Sequence, residues 1–330
     1  MSQGSDQASP ITYEDIVAAR ARIRPHLPPT PLRRYAPLDA AVGCGIRVAV
    51  KHEDHNPTNA FKVRNALSAL TAMEPGERAR GVVGATRGNY GLGLAWAGRL
   101  LGVPVTICVP EGNNPEKNEA MVGLGAELVI DGADYDASLA VAERIGVERG
   151  MRLVHSTNDA GVLAGAGTIA LEMLEQDPRL DALVVAVGGG SQAVGAMTVA
   201  RRKRPSLPVF AVQAAGAPAI HDSWHAGRPL RTAAAETFAD GLATRSTYPM
   251  TFPSLLVGLA GFVTVTDAEI ASALRLLLRT THTLAEGAGA AGLAGLIKMR
   301  QALAGRSVAI VVTGANIDEP TLKRVLNHEL

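Results

Sequence analysis

The feature that most constrains the fold of this chain is a regular alternation of short apolar segments with longer segments of helical spacing. The apolar segments are rich in Val and Ile and are bounded by Gly, Pro, Asp or Asn, which is typical of buried strands. Strands of this kind separated by helices predict parallel sheets with helices on both faces. The predicted strands are 46–52, 81–85, 103–109, 127–130, 152–155, 182–187, 209–212, 262–265 and 307–312.

The intervening segments place apolar residues three and four positions apart, which predicts helices, and Thr12 is a suitable N-cap for the first of them. The sequence therefore predicts an α/β protein with two open, mostly parallel α/β sheets. A ligand is expected at the carboxyl ends of the strands, in the cleft between two domains. The predicted helices are 12–26, 61–73, 92–101, 115–124, 137–149, 163–175, 192–202, 268–280 and 288–304.

Composition excludes several classes of protein. A length of 330 residues corresponds to about two domains. The net charge of +1 argues against a nucleic-acid partner, and no apolar run reaches the ~18 residues that a membrane span needs. The opening MSQGSDQASP lacks the features of a secretory signal and predicts a polar arm. Cys44 and Cys108 form no disulfide or metal pattern, so we expect a cytoplasmic protein without a metal site.

A glycine triplet follows directly on one of the predicted buried strands. Gly188, Gly189 and Gly190 let the backbone approach a ligand closely, and Ser191 and Gln192 then open a helix. The free N–H groups at a helix start suit a phosphate, helped by the helix dipole. No Gly-Lys-Ser/Thr follows, so the segment is not a Walker loop. The alternative is a tight strand–helix turn that binds nothing.

A second strand ends at Thr86 and is followed by Arg87, Gly88, Asn89 and Tyr90. Here N–H groups, an amide and a permanent cation converge on a possible anion site. The glycines at 84, 88, 91 and 93 also resemble a dinucleotide turn, so an NAD(P)-dependent dehydrogenase is an alternative. None of the five tyrosines has a lysine four residues later, which disfavours a reductase of the short-chain type.

Lysine is scarce in this chain, with six among 32 basic residues. Lys62 lies in the first turn of a predicted helix, beside Phe61. The positive helix end and partial burial both favour the neutral amine, which is the nucleophilic form. A surface lysine is the alternative. Thr313 follows the last predicted strand and brings a hydroxyl to the carboxyl end of the sheet.

Seven segments, in this order and across nearly the whole chain, resemble the threonine/serine dehydratase and serine racemase family. These are fold-type II (tryptophan synthase β-like) pyridoxal-phosphate enzymes. We accordingly expect a large cofactor-binding domain from residues 1–81 and 157–330, and a small substrate-loop domain from 82–156. A homodimer is also expected. The segments are KHEDHNPTNAFKVRNA, ATRGNYGLGLAWAGRLLG, VLAGAGTIALEML, VVAVGGGSQAVG, TFADGLA, VTVTDAEI and VVTGANID.

The resemblance implies that pyridoxal 5'-phosphate is the cofactor and that Lys62 forms a Schiff base with it. It also implies that the glycine triplet cradles the phosphate, that Asn89 bonds the phenolic oxygen and that Thr313 meets the pyridine nitrogen. Phe61 and Gly241 are expected to cover the ring faces. The implied cofactor residues are Phe61, Lys62, Asn89, Gly188, Gly189, Gly190, Ser191, Gln192, Gly241 and Thr313, and the implied substrate-carboxylate residues are Thr86, Arg87, Gly88, Asn89 and Tyr90.

The activity implied is β-elimination from a β-hydroxy amino acid such as threonine or serine, or a substituted analogue, giving a 2-oxo acid and ammonia. A hydroxyl at the pyridine nitrogen leaves the ring unprotonated, which suits elimination over long-lived carbanions. A β-replacement enzyme, an amino-acid racemase and a non-catalytic binding paralogue are the alternatives.

The chain departs from the family pattern at three places, one of which is Asn59–Ala60 in place of the usual Gly-Ser before Phe-Lys. The usual Ser-Ser-Gly-Asn-His is Thr-Arg-Gly-Asn-Tyr here, so Arg87 stands where the racemases carry an acid/base serine. This leaves the substrate and the role of Arg87 open. Gln213, Ala217 and Ala219 stand in the region where some members carry acidic metal ligands.

Overall fold

The computed structural model describes residues 9–330. Residues 1–8, which make up most of the predicted polar arm, lie outside the described residues. Within residues 9–330, no helix is both long enough and apolar enough to cross a membrane. Both cysteines are free thiols, with Cys108 buried and Cys44 half-buried.

The strands form two sheets. A six-stranded sheet has the order β1-β2-β10-β7-β8-β9, in which only β1 runs antiparallel to its neighbour. A four-stranded, wholly parallel sheet has the order β5-β4-β3-β6. The strands are β1 Leu32–Arg34, β2 Arg47–His52, β3 Val82–Ala85, β4 Val105–Val109, β5 Glu127–Ile130, β6 Arg152–Leu153, β7 Ala182–Ala186, β8 Val209–Ala214, β9 Gly261–Val265 and β10 Ser307–Val312.

Helices cover both sheets, so every residue of β3, β4 and β10 is buried. Burial on both faces is why these strands are continuous apolar runs rather than alternating ones. The helices are α1 Tyr13–Ile23, α2 Ala36–Val42, α3 Lys62–Thr71, α4 Pro75–Arg80, α5 Asn89–Leu101, α6 Pro115–Gly123, α7 Tyr135–Arg149, α8 Ala160–Gln176, α9 Ser191–Lys203, α10 Ala219–Ala226, α11 Phe252–Gly258, α12 Asp267–Thr281, α13 Gly287–Lys298 and α14 Glu319–Leu326.

The predicted α/β class and the mostly parallel sheets are confirmed. Thr12 caps α1 in a capping box: its hydroxyl accepts from the Asp15 amide at 3.1 Å, and the Asp15 carboxylate accepts from the Thr12 amide at 2.8 Å. The four strands of the smaller sheet fall within residues 82–153. The exact domain bounds stay a prediction.

Some elements differ from the prediction. Strand β1 and helices α2, α4, α10, α11 and α14 were not predicted; the helices have eight residues or fewer, too short to show a clear helical period. Helix α13 ends at Lys298 instead of continuing to 304. The segment after it forms turns, in which the Leu303 amide donates to the Met299 carbonyl at 3.2 Å.

Close contact between helices accounts for the glycines of α5, which begins at Asn89, three residues before the predicted start. A Cβ at Gly93 would lie 2.8 Å from the Lys62 carbonyl oxygen, and one at Gly91 would lie 2.4 Å from the Met121 sulfur. Glycine disfavours a helix, but here it allows α5 to approach α3 and α6. These glycines of the proposed dinucleotide turn are therefore used for helix packing.

A buried ion cluster joins β2, α3 and α8. The Arg64 guanidinium donates to Glu53 Oε2 at 2.7 Å and to Glu172 Oε1 at 2.7 Å, and Lys51 Nζ donates to Glu172 Oε2 at 2.6 Å. All four side chains are at most 6% exposed. Burial alone would raise the pKa of Glu53, but Arg64 and Lys51 hold it below its usual value. The cluster fixes α3, the helix that begins with Lys62.

Candidate active site

One pocket lies at the carboxyl ends of β3, β7 and β10, between the two sheets. Strands β7 and β10 are neighbours, so the segments that follow them meet at the same edge of the larger sheet. Every site residue predicted from the sequence lines this pocket: Phe61, Lys62, Thr86, Arg87, Gly88, Asn89, Tyr90, Gly188, Gly189, Gly190, Ser191, Gln192, Gly241 and Thr313.

Lys62 is the first residue of α3 and extends its amine into the pocket. Its Nζ donates to the Ser156 carbonyl oxygen at 3.3 Å and lies 5.0 Å from the centre of the Phe61 ring. No carboxylate pairs with this amine among the described residues. Burial lowers the pKa of Lys62 to about 8, so a useful fraction of the amine is neutral near physiological pH.

The glycine triplet forms a cradle that side chains would fill. A Cβ at Gly188 would lie 2.1 Å from the Gly241 carbonyl oxygen, and one at Gly189 would lie 2.1 Å from Thr157 Oγ1. Gly190 has a φ of 94°, a left-handed conformation that favours glycine. Helix α9 begins at the next residue, so its first N–H groups point toward the cradle.

Two buried polar side chains in the pocket have no hydrogen-bond partner in residues 9–330. They are Thr313, through its Oγ1, and Gln192, through both its amide oxygen and its amide nitrogen. Both residues are only 4% exposed. A buried polar group without a partner costs free energy, so these atoms are suited to a ligand that supplies the missing hydrogen bonds.

Asn89 belongs to a chain of polar side chains. Its Nδ2 donates to Glu286 Oε1 at 2.5 Å, and its Oδ1 accepts from Asn316 Nδ2 at 2.7 Å. These two contacts hold the amide in one orientation and leave its second N–H free for a ligand. Burial raises the pKa of Glu286 to about 6.

Glu286 and Asn316 were not predicted as site residues. Asn316 lies inside the segment VVTGANID, which the sequence analysis singled out only for Thr313. Glu286 directly precedes the glycine-rich start of α13, where an acidic residue suits the positive helix end. Both positions therefore carried a pattern from which they could have been found.

Arg87 is exposed, lines the pocket and has no ion pair or hydrogen bond to any described side chain or carbonyl. Lys117 and Asp240, which also line the pocket, do pair with each other: Lys117 Nζ donates to Asp240 Oδ2 at 2.9 Å. The guanidinium of Arg87 is therefore available for the predicted anion contact.

Two tyrosines that the sequence did not predict as site residues, Tyr135 and Tyr248, also line the pocket. Tyr135 lies 3.0 Å from Ser156 Oγ through its hydroxyl, and Tyr248 packs edge-on against His155 with ring centres 5.7 Å apart. Burial, together with the nearby Lys62 charge, lowers the pKa of His155 to about 4, so this imidazole is neutral near pH 7. The tyrosines are separated by 113 positions from one another along the chain, and no local motif marks them.

The pocket fits pyridoxal phosphate. It provides a lysine amine with no carboxylate partner among the described residues, a side-chain-free cradle at a helix start for the phosphate, and an unpartnered hydroxyl at Thr313 for the ring nitrogen. These three features lie in one cavity. No separate function of the glycine triplet, such as a tight turn without a ligand, accounts for the unpartnered Gln192 and Thr313.

Comparison with known proteins also indicates pyridoxal phosphate as the cofactor. A family profile described as "Pyridoxal-phosphate dependent enzyme" matches residues 23–314. The L-threonine ammonia-lyase of Geobacter sulfurreducens is 38% identical over 287 residues, which cover 87% of this chain and 71% of that protein. The L-threo-3-hydroxyaspartate ammonia-lyase of Pseudomonas sp. is 33% identical over 311 residues, covering 93% of this chain and 96% of that protein.

The fold has close counterparts among solved structures. Maize serine racemase superposes with a TM-score of 0.90 at 29% identity, covering 97% of this chain and 98% of that one. The resemblance, the fold-type II architecture, the cofactor and the ammonia-lyase class predicted from the sequence are thereby confirmed, and the dehydrogenase alternative is wrong. The chain belongs to the family of pyridoxal-phosphate dependent enzymes.

Proposed function

We propose that this protein removes water from a small β-hydroxy amino acid and releases a 2-oxo acid and ammonia. The observation that carries the proposal is the convergence of the Lys62 amine, the glycine cradle and the free Arg87 guanidinium in one pocket. Threonine and 3-hydroxyaspartate are candidate substrates, because relatives at 30–38% identity are named as ammonia-lyases or dehydratases of these amino acids. Serine is the third candidate, from the family resemblance.

The residues around the cradle would hold the cofactor. The N–H groups of Gly188 to Gln192 would donate to its phosphate, Thr313 Oγ1 would meet the pyridine nitrogen, and the free N–H of Asn89 would donate to the phenolic oxygen. Phe61 and Gly241, which line the same pocket, would cover the ring. When bound, pyridoxal phosphate withdraws electrons from the substrate Cα, which allows a proton and then the β-hydroxyl to leave.

Lys62 carries the proton transfer in this proposal. With cofactor and substrate bound, the neutral Lys62 amine would act as the base that takes the proton from Cα. Its pKa of about 8 suits a base that must be neutral to accept a proton and must release it afterwards. The Ser156 carbonyl oxygen, 3.3 Å from Nζ, orients the amine within the site.

Arg87 is assigned to a substrate carboxylate. A guanidinium keeps its proton at neutral pH, so it cannot exchange a proton at the opposite face of Cα as the serine of a racemase does. It is suited instead to two parallel hydrogen bonds with a carboxylate. We therefore expect elimination to exceed racemisation.

The proposal is tested with a panel of amino acids on the purified, cofactor-loaded enzyme. L-Threonine, L-serine and L-threo-3-hydroxyaspartate are assayed for 2-oxo acid, ammonia and the D-enantiomer. We expect equal amounts of 2-oxo acid and ammonia from at least one of them, with racemisation the slower reaction. Racemisation as fast as elimination would favour the racemase. Product formation only after a thiol or sulfide is added would favour β-replacement, and no turnover with cofactor bound would favour the binding paralogue.

Replacing Arg87 with alanine is expected to lower kcat/KM by about 30- to 1000-fold, equivalent to about 2–4 kcal/mol for a desolvated charge pair. Arg87→Lys, which keeps the charge but loses the two-pronged geometry, should give an intermediate loss. Comparison of threonine with 3-hydroxyaspartate shows which carboxylate is held: equal losses indicate the α-carboxylate, and a loss confined to 3-hydroxyaspartate indicates its side chain. Unchanged kinetics on all substrates would remove Arg87 from the site.

Three further expectations belong to this proposal. The chain is expected to act in the cytoplasm and to form a homodimer. Residues 82–156 are expected to form a small substrate-loop domain beside the large cofactor-binding domain.

A further inference from the structure

A second group of side chains with ligand chemistry lies outside the pocket, at the carboxyl end of β2. It consists of His52, the last residue of that strand, together with Asp54 and His55 in the 3-10 helix that follows. Their ligand atoms all lie within 4.8 Å of one another. We propose that these three residues bind one divalent transition-metal ion of the Zn²⁺ type.

The distances suit such an ion. His52 Nδ1 lies 3.2 Å from Asp54 Oδ1, and His55 Nε2 lies 3.5 Å from Asp54 Oδ2. Ligands about 2.0–2.1 Å from a tetrahedral Zn²⁺ are about 3.3–3.4 Å apart. The two contacts to the Asp54 carboxylate are already close to this length, and any longer ligand separation, at most 4.8 Å, would shorten on binding. Two imidazoles favour Zn²⁺, Co²⁺ or Ni²⁺ over Mg²⁺ and Ca²⁺, which prefer oxygen ligands.

The surroundings of His52 also suit a metal ligand. Its other ring nitrogen, Nε2, lies 2.8 Å from the Tyr35 hydroxyl. A metal on Nδ1 places the ring proton on Nε2, which then donates to Tyr35 as a supporting hydrogen bond. The ring is further held by stacking on His55, with centres 4.8 Å apart. His52 is therefore already oriented with Nδ1 toward Asp54.

The site is open on one side. The side chains of His52 and Asp54 are 1% and 8% exposed, whereas that of His55 is 43% exposed. Solvent water can therefore enter as the fourth ligand. The 3-10 helix also carries Glu53, which pairs with Arg64 in the buried ion cluster. A bound ion would fasten this segment and stabilise the fold.

The test is a calorimetric titration of ZnCl₂ into the cofactor-loaded enzyme, after treatment with a chelator and removal of free cofactor. We expect one site per chain. His55→Ala should weaken binding by more than about 100-fold and Tyr35→Phe by about tenfold, because even supporting partners contribute 10- to 100-fold to affinity. His225→Ala is the matched control, since His225 is exposed and also lies in a histidine pair with ring centres 4.4 Å apart. MgCl₂ is expected not to bind at the site.

Thermal unfolding gives a second readout. Zn²⁺ at about a hundredfold excess over its dissociation constant should raise the Tm of the wild type and of His225→Ala by about 4 °C. It should not raise that of His55→Ala, whose circular dichroism is expected to be unchanged because the residue is exposed. The proposal would be overturned if His55→Ala and Asp54→Asn bound Zn²⁺ as tightly as the wild type does. The absence of binding at millimolar Zn²⁺ would overturn it as well.

Discussion

Replacing Lys62 with arginine is expected to lower kcat by at least about 10³-fold, the largest functional effect that the structure predicts. Proton transfer by a positioned side chain contributes about 10²–10⁴-fold, and loss of the nucleophilic amine adds to this. Arginine keeps the positive charge and much of the length but cannot become neutral at physiological pH. The measurement is steady-state turnover on the best substrate of the panel, with the cofactor content determined separately.

Borohydride reduction followed by peptide mapping identifies the lysine directly. We expect the cofactor on Lys62 in the wild type and on no lysine in Lys62→Arg. Lys117 is the other lysine that lines the pocket, and a tag there would reject the assignment. Lys323→Arg is the matched control, because Lys323 is 69% exposed and pairs only with Glu319 on its own helix. Its turnover and its labelling pattern should equal those of the wild type.

The largest effect on stability is expected from Arg64→Met. The change removes the cation that lies between Glu53 and Glu172 and leaves two carboxylates with only Lys51. Breaking a buried ion pair on one side costs about 3–5 kcal/mol, because the remaining charge stays buried without compensation. We expect a loss of this size in the free energy of unfolding, measured by denaturant titration.

Lys323→Met serves as the control for that measurement. It breaks an exposed pair between residues four apart on α14, which contributes no more than about 0.5 kcal/mol. Because Arg64 lies two residues after Lys62 on α3, Arg64→Met should also weaken cofactor binding. A free energy of unfolding within about 1 kcal/mol of the wild type, against the expected loss of about 3–5 kcal/mol, would show that the cluster relaxes or admits water.

Much of the fold could be predicted because the strands are buried on both faces. Strands such as β7 and β10 are uninterrupted apolar runs with punctuating residues at both ends, and their bounds agree with the prediction to within one residue. The short helices could not be predicted in this way. The antiparallel strand β1 has only three residues and is defined by its pairing with β2, a contact that local sequence does not contain.

The site was predictable where the chemistry is local. The glycine triplet, Lys62 and Thr313 each lie at the junction of a strand or loop with the next element, where a single segment shows the pattern. Tyr135 and Tyr248 reach the pocket from a helix start and from a loop far apart in the chain. Their roles depend on tertiary packing, so neither periodicity nor a motif indicates them. Glu286 differs from them, because its place directly before the glycine-rich start of α13 is a local signal.

The contact between Gly93 and the backbone of Lys62 has a consequence for engineering this enzyme. A Cβ at position 93 would displace the first turn of α3. A library that varies this position would therefore move the Lys62 amine, although residue 93 itself does not line the pocket. Arg87 is a suitable position for randomisation, because it is exposed, faces the pocket and supports no other side chain. Substrate scope can therefore be redesigned from the β3–α5 loop, provided that the helix after it keeps its glycines.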